Sequence, residues 1–252
     1  MPLQITDNAG VYRIEGFRPG VTLAFSGRQY ETLHRDSFLR QAGLDPDQLV
    51  LLRQIHSANL VWVRDPQTSF AQCPADGLIT QCPEVVLGIL TADCVPVFFW
   101  DSERRVAAIA HAGWRGVYQG IVTKMVQAFR LNFRTHPESL QIAFGPSIRK
   151  CCYEVGQEFE ELFPESYAGP EGDKKQGAMD LTGAIRRELE KEGVPLEAVH
   201  DTGLCTSCLN QQFFSFRREK ETRERILSVI CIRDLQPPPL VIAVCLLTPP
   251  LL

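Results

Sequence analysis

Apolar and β-branched residues recur along the chain in short, mostly unbroken runs at 49–55, 60–63, 85–90, 95–100, 106–110, 140–144, 226–232 and 240–247. A half-exposed strand alternates apolar with polar residues, whereas a strand covered on both faces reads as a continuous apolar run. The pattern therefore predicts strands held inside the molecule with further layers on either side. Between them the period lengthens. Over 120–132, Ile121, Val122, Met125, Val126 and Phe129 return at helical spacing and form one face. Residues 180–193 place Asp180 at an N-cap position, put Leu181, Ile185 and Leu189 on one side, and end at Gly193. A shorter helical pattern covers 35–42 and stops at Gly43. Strands and helices mix without strict strand–helix–strand alternation. The expected class is α/β: a single-domain sandwich with a mixed β-sheet core flanked by helices.

Length agrees with that picture. The chain has 252 residues, enough to bury a large core without disulfides or a structural metal, and it shows no repeat, low-complexity tract or linker that would split it. One domain over 1–252 is expected, closed by a tail at 233–252. Charged residues at 22% and hydrophobic residues at 44% exclude a disordered chain. Lys plus Arg is 26 against 30 Asp plus Glu, a net charge of -4 that offers phosphate backbones no bulk positive field, so no nucleic-acid partner is expected. The first residues, Met1-Pro2-Leu3-Gln4, lack a basic and apolar leader, and the eight-residue run at 240–247 is far below the ~20 residues that cross a bilayer. A cytoplasmic location without a membrane partner follows. Nine cysteines, an odd number without an export signal, read as reduced thiols.

Chemistry-bearing residues fall at the ends of the apolar runs. His34, His136 and His200 sit among polar or turn residues and read as solvated. His56 and His111 follow the runs 49–55 and 106–110, and Cys94 follows 85–90, so three strand ends deliver two imidazoles and a thiol. Zinc favours those ligands, and three of them leave a fourth position open, the mark of a catalytic site. The alternatives are core-edge histidines bonded to backbone and an inert buried Cys94; the intervals of 38 and 17 residues match no local zinc motif. Cys205-Thr-Ser-Cys208 with Cys151-Cys152 would supply four more thiols, but adjacent cysteines do not easily turn both sulfurs to one metal. The run Phe213-Phe-Ser-Phe216 suggests a strand after that C-x-x-C. Cys73, Cys82, Cys231 and Cys245 read as packing. Trp114-Arg115-Gly116 precedes a helix start, where backbone N–H groups attract anions, and Arg217-Arg218 follows the Phe run. For each arginine the alternative is a solvated surface position or a carboxylate pair.

Taken together, Gln54-Ile-His56, Ala75-Asp-Gly-Leu-Ile-Thr80, Thr91-Ala-Asp-Cys-Val-Pro-Val97, His111-Ala-Gly-Trp-Arg-Gly116, Phe144-Gly-Pro-Ser-Ile148, Cys151-Cys-Tyr-Glu-Val-Gly156 and Cys205-Thr206 with Phe213-Phe-Ser-Phe-Arg-Arg218 resemble, in order and spacing, the YfiH-type laccase-domain or polyphenol oxidase family, regarded as zinc-dependent purine nucleoside phosphorylases. The likeness runs over about 20–232. It implies a zinc site of His56, Cys94 and His111. It also implies phosphorolysis of adenosine, guanosine, inosine and methylthioadenosine, with hydrolytic deamination of adenosine at the same site. Purine nucleoside and inorganic phosphate would be the partners, on a monomer or small homo-oligomer. Arg115, Arg217 and Arg28 are the candidates to hold phosphate, because a guanidinium fork matches its oxygens. Asp93, beside Cys94, would orient a ligand histidine or carry a proton, with Asp76 the second choice. One segment departs from the family: where its members carry Thr-Arg-x-Gly-Gly, this chain reads Phe25-Ser-Gly-Arg-Gln-Tyr-Glu31.

Three other readings stay open. A copper polyphenol oxidase, the family's older label, would need many more histidines than the five present, so copper is the lesser candidate beside zinc. A cysteine hydrolase would use Cys94 as nucleophile and His111 as base, acting on peptidoglycan precursors. A non-catalytic binding protein would keep the fold alone.

Overall fold

The apolar runs become the inner strands of two packed sheets in the computed structural model, which describes residues 4–65, 70–172 and 176–233. In chain order the strands are β1 (Gln4–Asn8), β2 (Val11–Glu15), β3 (Val21–Ser26), β4 (Leu49–Val50), β5 (Leu60–Val63), β6 (Gly77–Thr80), β7 (Val86–Thr91), β8 (Val95–Asp101), β9 (Val106–Ala112), β10 (Gln141–Phe144), β11 (Glu154–Val155), β12 (Tyr167–Ala168), β13 (Gly177–Met179), β14 (Val199–Asp201) and β15 (Ile226–Ile232). The helices are α1 (Arg35–Gln41), α2 (Trp114–Tyr118), α3 (Ile121–Phe133), α4 (Glu158–Leu162), α5 (Leu181–Lys191) and α6 (Phe216–Glu219). The first sheet runs β1-β2-β3-β15-β7-β4 and the second β14-β10-β8-β9-β6-β5, while β11-β13-β12 make a small third sheet. Each large sheet is mixed: β4 pairs parallel with β7, and β14 with β10 and β5 with β6 likewise, among otherwise antiparallel neighbours.

Alternation along each strand divides the side chains between two cores. Phe25, Leu87, Ile89 and Ile230 of the first sheet meet Phe98, Trp100 and Ile109 of the second. On the far side of the second sheet, Val97, Phe99 and Ala108 pack under Met125 and Phe129 of α3 and Ile185 and Leu189 of α5. On the far side of the first, Ala24, Val86 and Val229 receive Phe38 and Leu39 of α1. The layers are thus helix, sheet, sheet, helix, which is why β8, β9 and β15 carry seven buried residues each and read as unbroken apolar runs. The expected α/β sandwich with a mixed sheet core is present.

Helix boundaries follow capping chemistry. Asp180 Oδ1 accepts from the Gly183 N–H at 2.9 Å and starts α5, and Gly43, at φ 70°, takes the left-handed position after α1. Two expectations need correction. The run 49–55 is a strand only at Leu49–Val50, because the Gln54 amide gives and takes hydrogen bonds with the backbone of Leu90, both 2.8 Å, and draws the chain out of the sheet. The Phe213-Phe-Ser-Phe216 run is not a strand, because Ser215 caps α6 by accepting from the Arg218 N–H. The run 240–247 and the tail after Arg233 lie outside the described residues. Hydrophobic pattern gives no warning of β1, whose five residues are all exposed; its signal is the two-residue turn of Ala9 (φ 49°) and Gly10 (φ 76°) joining it to β2. Among the described residues no helix is long and apolar enough to cross a membrane.

Phe98 is wholly buried between the two sheets. Phe98→Ala should lower unfolding stability by about 3–5 kcal/mol, read from urea titration with an unchanged slope. A loss under ~1 kcal/mol would mean that the sheets do not close-pack there.

Candidate active site

The two sheets are joined by a turn at 92–94 that leads from β7 in the first into β8 in the second, and this turn carries Asp93 and Cys94. His111 lies on β9 opposite Pro96 of β8, rather than beyond the strand end. His56 sits in the loop after β4, at φ 57°, and Asp93 is also left-handed at φ 93°. Neither is glycine, so both conformations carry strain that their surroundings must hold. The imidazoles of His56 and His111 meet edge to face with centroids 4.8 Å apart. Ligand atoms of His56, Cys94 and His111 all lie within 4.8 Å of one another, a group able to hold a metal ion. Gly113 makes room for it: a Cβ there would stand 2.9 Å from Cys94 Sγ and 3.1 Å from a ring carbon of His56.

Asp76, fully buried, organises this corner. Its Oδ1 accepts from the His56 N–H at 3.0 Å and lies 2.8 Å from His111 Nδ1. Its Oδ2 accepts from the N–H groups of Ile55 (3.2 Å) and Ser57 (2.7 Å) and from the Ser57 hydroxyl (2.8 Å). Burial alone would push this carboxyl up, but the bonds from His111 and Ser57 outweigh it and hold it at about 2. Burial likewise pushes the Cys94 thiol up, yet the charge of His111 and hydrogen bonds from both histidines bring it down to about 6. Burial would lower His111, and the Cys94 thiolate with Asp76 raises it to about 9. The corner therefore favours a thiolate with a shared proton beside it. A divalent cation can take that proton's place, so the donor set of one thiolate and two imidazoles fits a borderline-soft metal such as zinc.

The order of the two aspartates is reversed from the sequence expectation. Asp76 is the residue bonded to a candidate ligand, whereas Asp93 accepts from the Thr206 hydroxyl and the Arg217 N–H, both at 2.6 Å. With each oxygen engaged, Asp93 fixes Arg217 instead of orienting a histidine.

A cavity of about 640 Å³ opens over the three residues, within the range of small-molecule sites. Its lining includes Leu52, Leu90, Trp114, Ile148, Tyr153 and Phe216, together with Arg115, Arg217 and Arg225. Arg115 lies over the Trp114 ring at 4.3 Å, and Arg217 donates to the Glu154 carbonyl at 2.6 Å. Trp114-Arg115-Gly116 precedes α3 as expected and also opens the short helix α2. Arg225 was not anticipated; its one signal is that it precedes the 226–232 run. Arg28 is the converse case. It pairs with Glu219 at 2.6 Å, donates to the Phe213 carbonyl and lies over Phe214, so it is no part of the cavity lining. It braces α6, which carries Phe216 and Arg217.

Asp76→Asn places an amide N–H₂ among groups that already donate, and the loss should be on the order of 3 kcal/mol or more. The pH dependence has a definite sign. The Asp76 carboxyl is depressed to about 2 in the folded chain, against ~3.9 when unfolded, so ionisation contributes on the order of 2–3 kcal/mol above about pH 5. That share is lost as pH falls toward 2. Urea titrations of both proteins between pH 7 and 3 should show the gap narrowing; a gap independent of pH would refute the assignment.

Comparison with known proteins places the chain in a family. Residues 31–233 match the family described as multi-copper polyphenol oxidoreductase laccase. Adenosine deaminase RL5 from an unknown prokaryotic organism is 33% identical over 193 residues, 71% of this chain and 72% of that protein. A purine nucleoside phosphorylase of Bacteroides thetaiotaomicron is 33% identical over 225 residues, 82% and 83% of the two chains. The crystal structure of Bacillus licheniformis YfiH superposes with a TM-score of 0.83 at 25% identity, covering 91% of this chain and 99% of that one. With most of its length matched, in sequence and in the two-sheet fold, the chain belongs to the laccase-domain family typified by YfiH.

Proposed function

We propose that the protein is a zinc-dependent purine nucleoside phosphorylase acting on adenosine, guanosine, inosine and methylthioadenosine, with adenosine deamination as a second reaction of the same site. The observation that carries the reading is the convergence of His56, Cys94 and His111 in a cavity lined by aromatic and arginine side chains. Relatives named for both activities support it. Zinc suits the donor set better than copper oxidase chemistry, which relies on several clustered histidines; among the described residues two converge.

When bound, zinc would supply Lewis-acid stabilisation of negative charge on a substrate oxygen. The remaining work falls to the chain. Trp114, Tyr153 and Phe216 offer faces against which a purine can lie, and the guanidinium groups of Arg115, Arg217 and Arg225 supply forked donors for phosphate. Held there, a phosphate oxygen bonds to the anomeric carbon while the bond from that carbon to the purine nitrogen breaks; its electron pair leaves with the base, which gains a proton. Asp93 keeps Arg217 in place. In deamination water adds at C6 of adenine and ammonia leaves, giving inosine.

Incubation with adenosine and phosphate, followed by chromatography, should yield adenine and ribose 1-phosphate, with inosine as the hydrolytic product. His111→Ala should abolish both and strip the metal from this site. Arg115→Ala should raise KM for phosphate about 10- to 100-fold, the loss of one or two charge-assisted hydrogen bonds, with a smaller effect on the nucleoside. No turnover of any purine nucleoside by the metal-loaded protein would refute the proposal in favour of a binding protein.

One observation favours a second reading. The thiolate of Cys94, the imidazole of His111 and the carboxylate of Asp76 stand in the sequence of contacts that a cysteine hydrolase uses. Zinc bound at the histidine site that is lost in Cys94→Ala would exclude it, because a metal-bound sulfur is no free nucleophile.

A further inference from the structure

Far from the histidines in the chain, the four cysteines of the Cys151-Cys152 and Cys205-Thr-Ser-Cys208 motifs come together. The sulfur of Cys151 lies 3.7 Å from that of Cys152, 3.8 Å from Cys205 and 3.7 Å from Cys208, and Cys152 and Cys208 are 3.4 Å apart. All four lie within 4.8 Å of one another. Four thiolates around one tetrahedral ion at a zinc–sulfur distance of ~2.3 Å are separated by ~3.8 Å along each edge. Four of the six edges stand at 3.4–3.8 Å and the other two lie within 4.8 Å, close to such a tetrahedron. They are far longer than the ~2.05 Å of a disulfide, and all four thiols are free. The objection that neighbouring cysteines diverge holds for an extended chain. Here residues 150–152 form a turn in which the N–H groups of Cys152 and Tyr153 both bond to the Arg149 carbonyl at 2.8 and 2.9 Å, and the curled backbone brings both sulfurs round to one side.

Packing does not account for the cluster. Cys73 and Cys82 sit against the core between the sheets, and Cys231 against the core under α1, as small apolar residues do. In the cluster Cys151 and Cys208 are exposed and only Cys205 is buried, so little apolar area leaves water in return for crowding four thiols. We propose that Cys151, Cys152, Cys205 and Cys208 form a second metal site, a closed tetrathiolate that holds one Zn²⁺ in a structural role. Binding forms four sulfur–zinc bonds and releases the thiol protons to solvent, with no change in oxidation state. A polynuclear iron–sulfur cluster would push the sulfurs farther apart than they stand.

The position gives the ion a purpose. It ties the segment 147–156 to the segment 204–218, which also meet through the Ser147 and Cys205 bridge, the paired bonds of Ser147 with Leu204 and Thr206, and the bonds of Arg149 to the Leu204 carbonyl and of Arg217 to the Glu154 carbonyl. The first segment supplies Ile148 and Tyr153 to the cavity and the second Phe216 and Arg217. Thr206, between the two cysteines of the C-x-x-C, bonds Asp93. A zinc ion there fixes one wall of the cavity without entering it, and its existence is independent of which reaction the cavity performs.

The test counts metal. Protein purified under reducing conditions should carry two zinc ions per chain by mass spectrometry. His56→Ala/His111→Ala, which dismantles the histidine site, should keep one. Cobalt substituted into that variant should give the intense visible bands and thiolate charge-transfer absorption of a tetrahedral tetrathiolate. Cys205→Ser/Cys208→Ser should lose the same ion and keep the other. If that double variant does not fold, Cys208→Ser alone should release one zinc to a chelator at least tenfold faster than the parent. A folded His56→Ala/His111→Ala variant that holds no zinc, or holds iron with sulfide instead, would overturn the proposal.

Discussion

One buried carboxylate sets the geometry of the site. Asp76 immediately precedes β6 and donates its N–H to the Asn59 carbonyl just before β5, so its position belongs to the second sheet. Its two oxygens reach out of that sheet to three successive N–H groups of the loop 55–57 and to the ring of His111. The loop would have no reason to hold His56 in a left-handed conformation without those bonds, because the strain is offset only by a charged acceptor shared among several donors. A single charge thus couples two imidazoles that lie 55 positions apart in the chain. The Cys94 thiolate and this same charge together raise His111, and His111 with His56 draws down Cys94. Asp76 thus orients the corner and shares in its electrostatics.

Layering explains where such a corner can exist. Between two sheets packed face to face the space is filled mainly by apolar side chains, Phe98, Trp100, Ile109 and Ile230 among them, with the small Ser228 and Thr91 in the same register. The candidate metal ligands gather where the sheets part, at the crossing turn 92–94 and at the mouth beside β9. Charge follows the same logic. The chain as a whole is negative, yet Arg115, Arg217 and Arg225 gather at the cavity, with Asp93 already committed to Thr206 and Arg217. Net charge describes the long-range field, while recognition of an anion depends on fixed guanidinium groups a few ångströms away.

Legibility in the sequence tracks how local each cause is. The strands at 85–90, 95–100, 106–110 and 226–232 and the helices at 120–132 and 180–193 were readable because burial and capping act within a dozen residues. His56, Cys94 and His111 were marked by their place at the ends of apolar runs, and the resemblance supplied what spacing could not. The partners of Arg28, Asp93 and Asp76 are not legible for a common reason: a polar side chain's surroundings depend on which partner reaches it first. Glu219, 191 positions away, claims Arg28, and Thr206, 113 away, claims Asp93. Neither distance leaves a periodic trace. The bend at Gln54 and the capped turn at Ser215 escaped too, since one side chain there outweighs an apolar run.

The cysteine pairs show how a rule sound in one conformation misleads in another. Divergence of adjacent side chains is a property of extended backbone, and the step from Arg149 to Tyr153 is a tight turn. That turn exists because strand β10 ends at Phe144 and the chain must return past Ser147 toward the 204–206 segment, where Ser147 and Cys205 align. Thiols are therefore concentrated where two wall segments meet. A chain of this size has core enough to fold without a metal, and buried Ser147, Thr206 and Phe213 together with the Arg217 bond to the Glu154 carbonyl already hold the two segments. A metal on the exposed Cys151 and Cys208 would add a bond at the outer edge of the wall that carries Tyr153 on one side and Arg217 on the other.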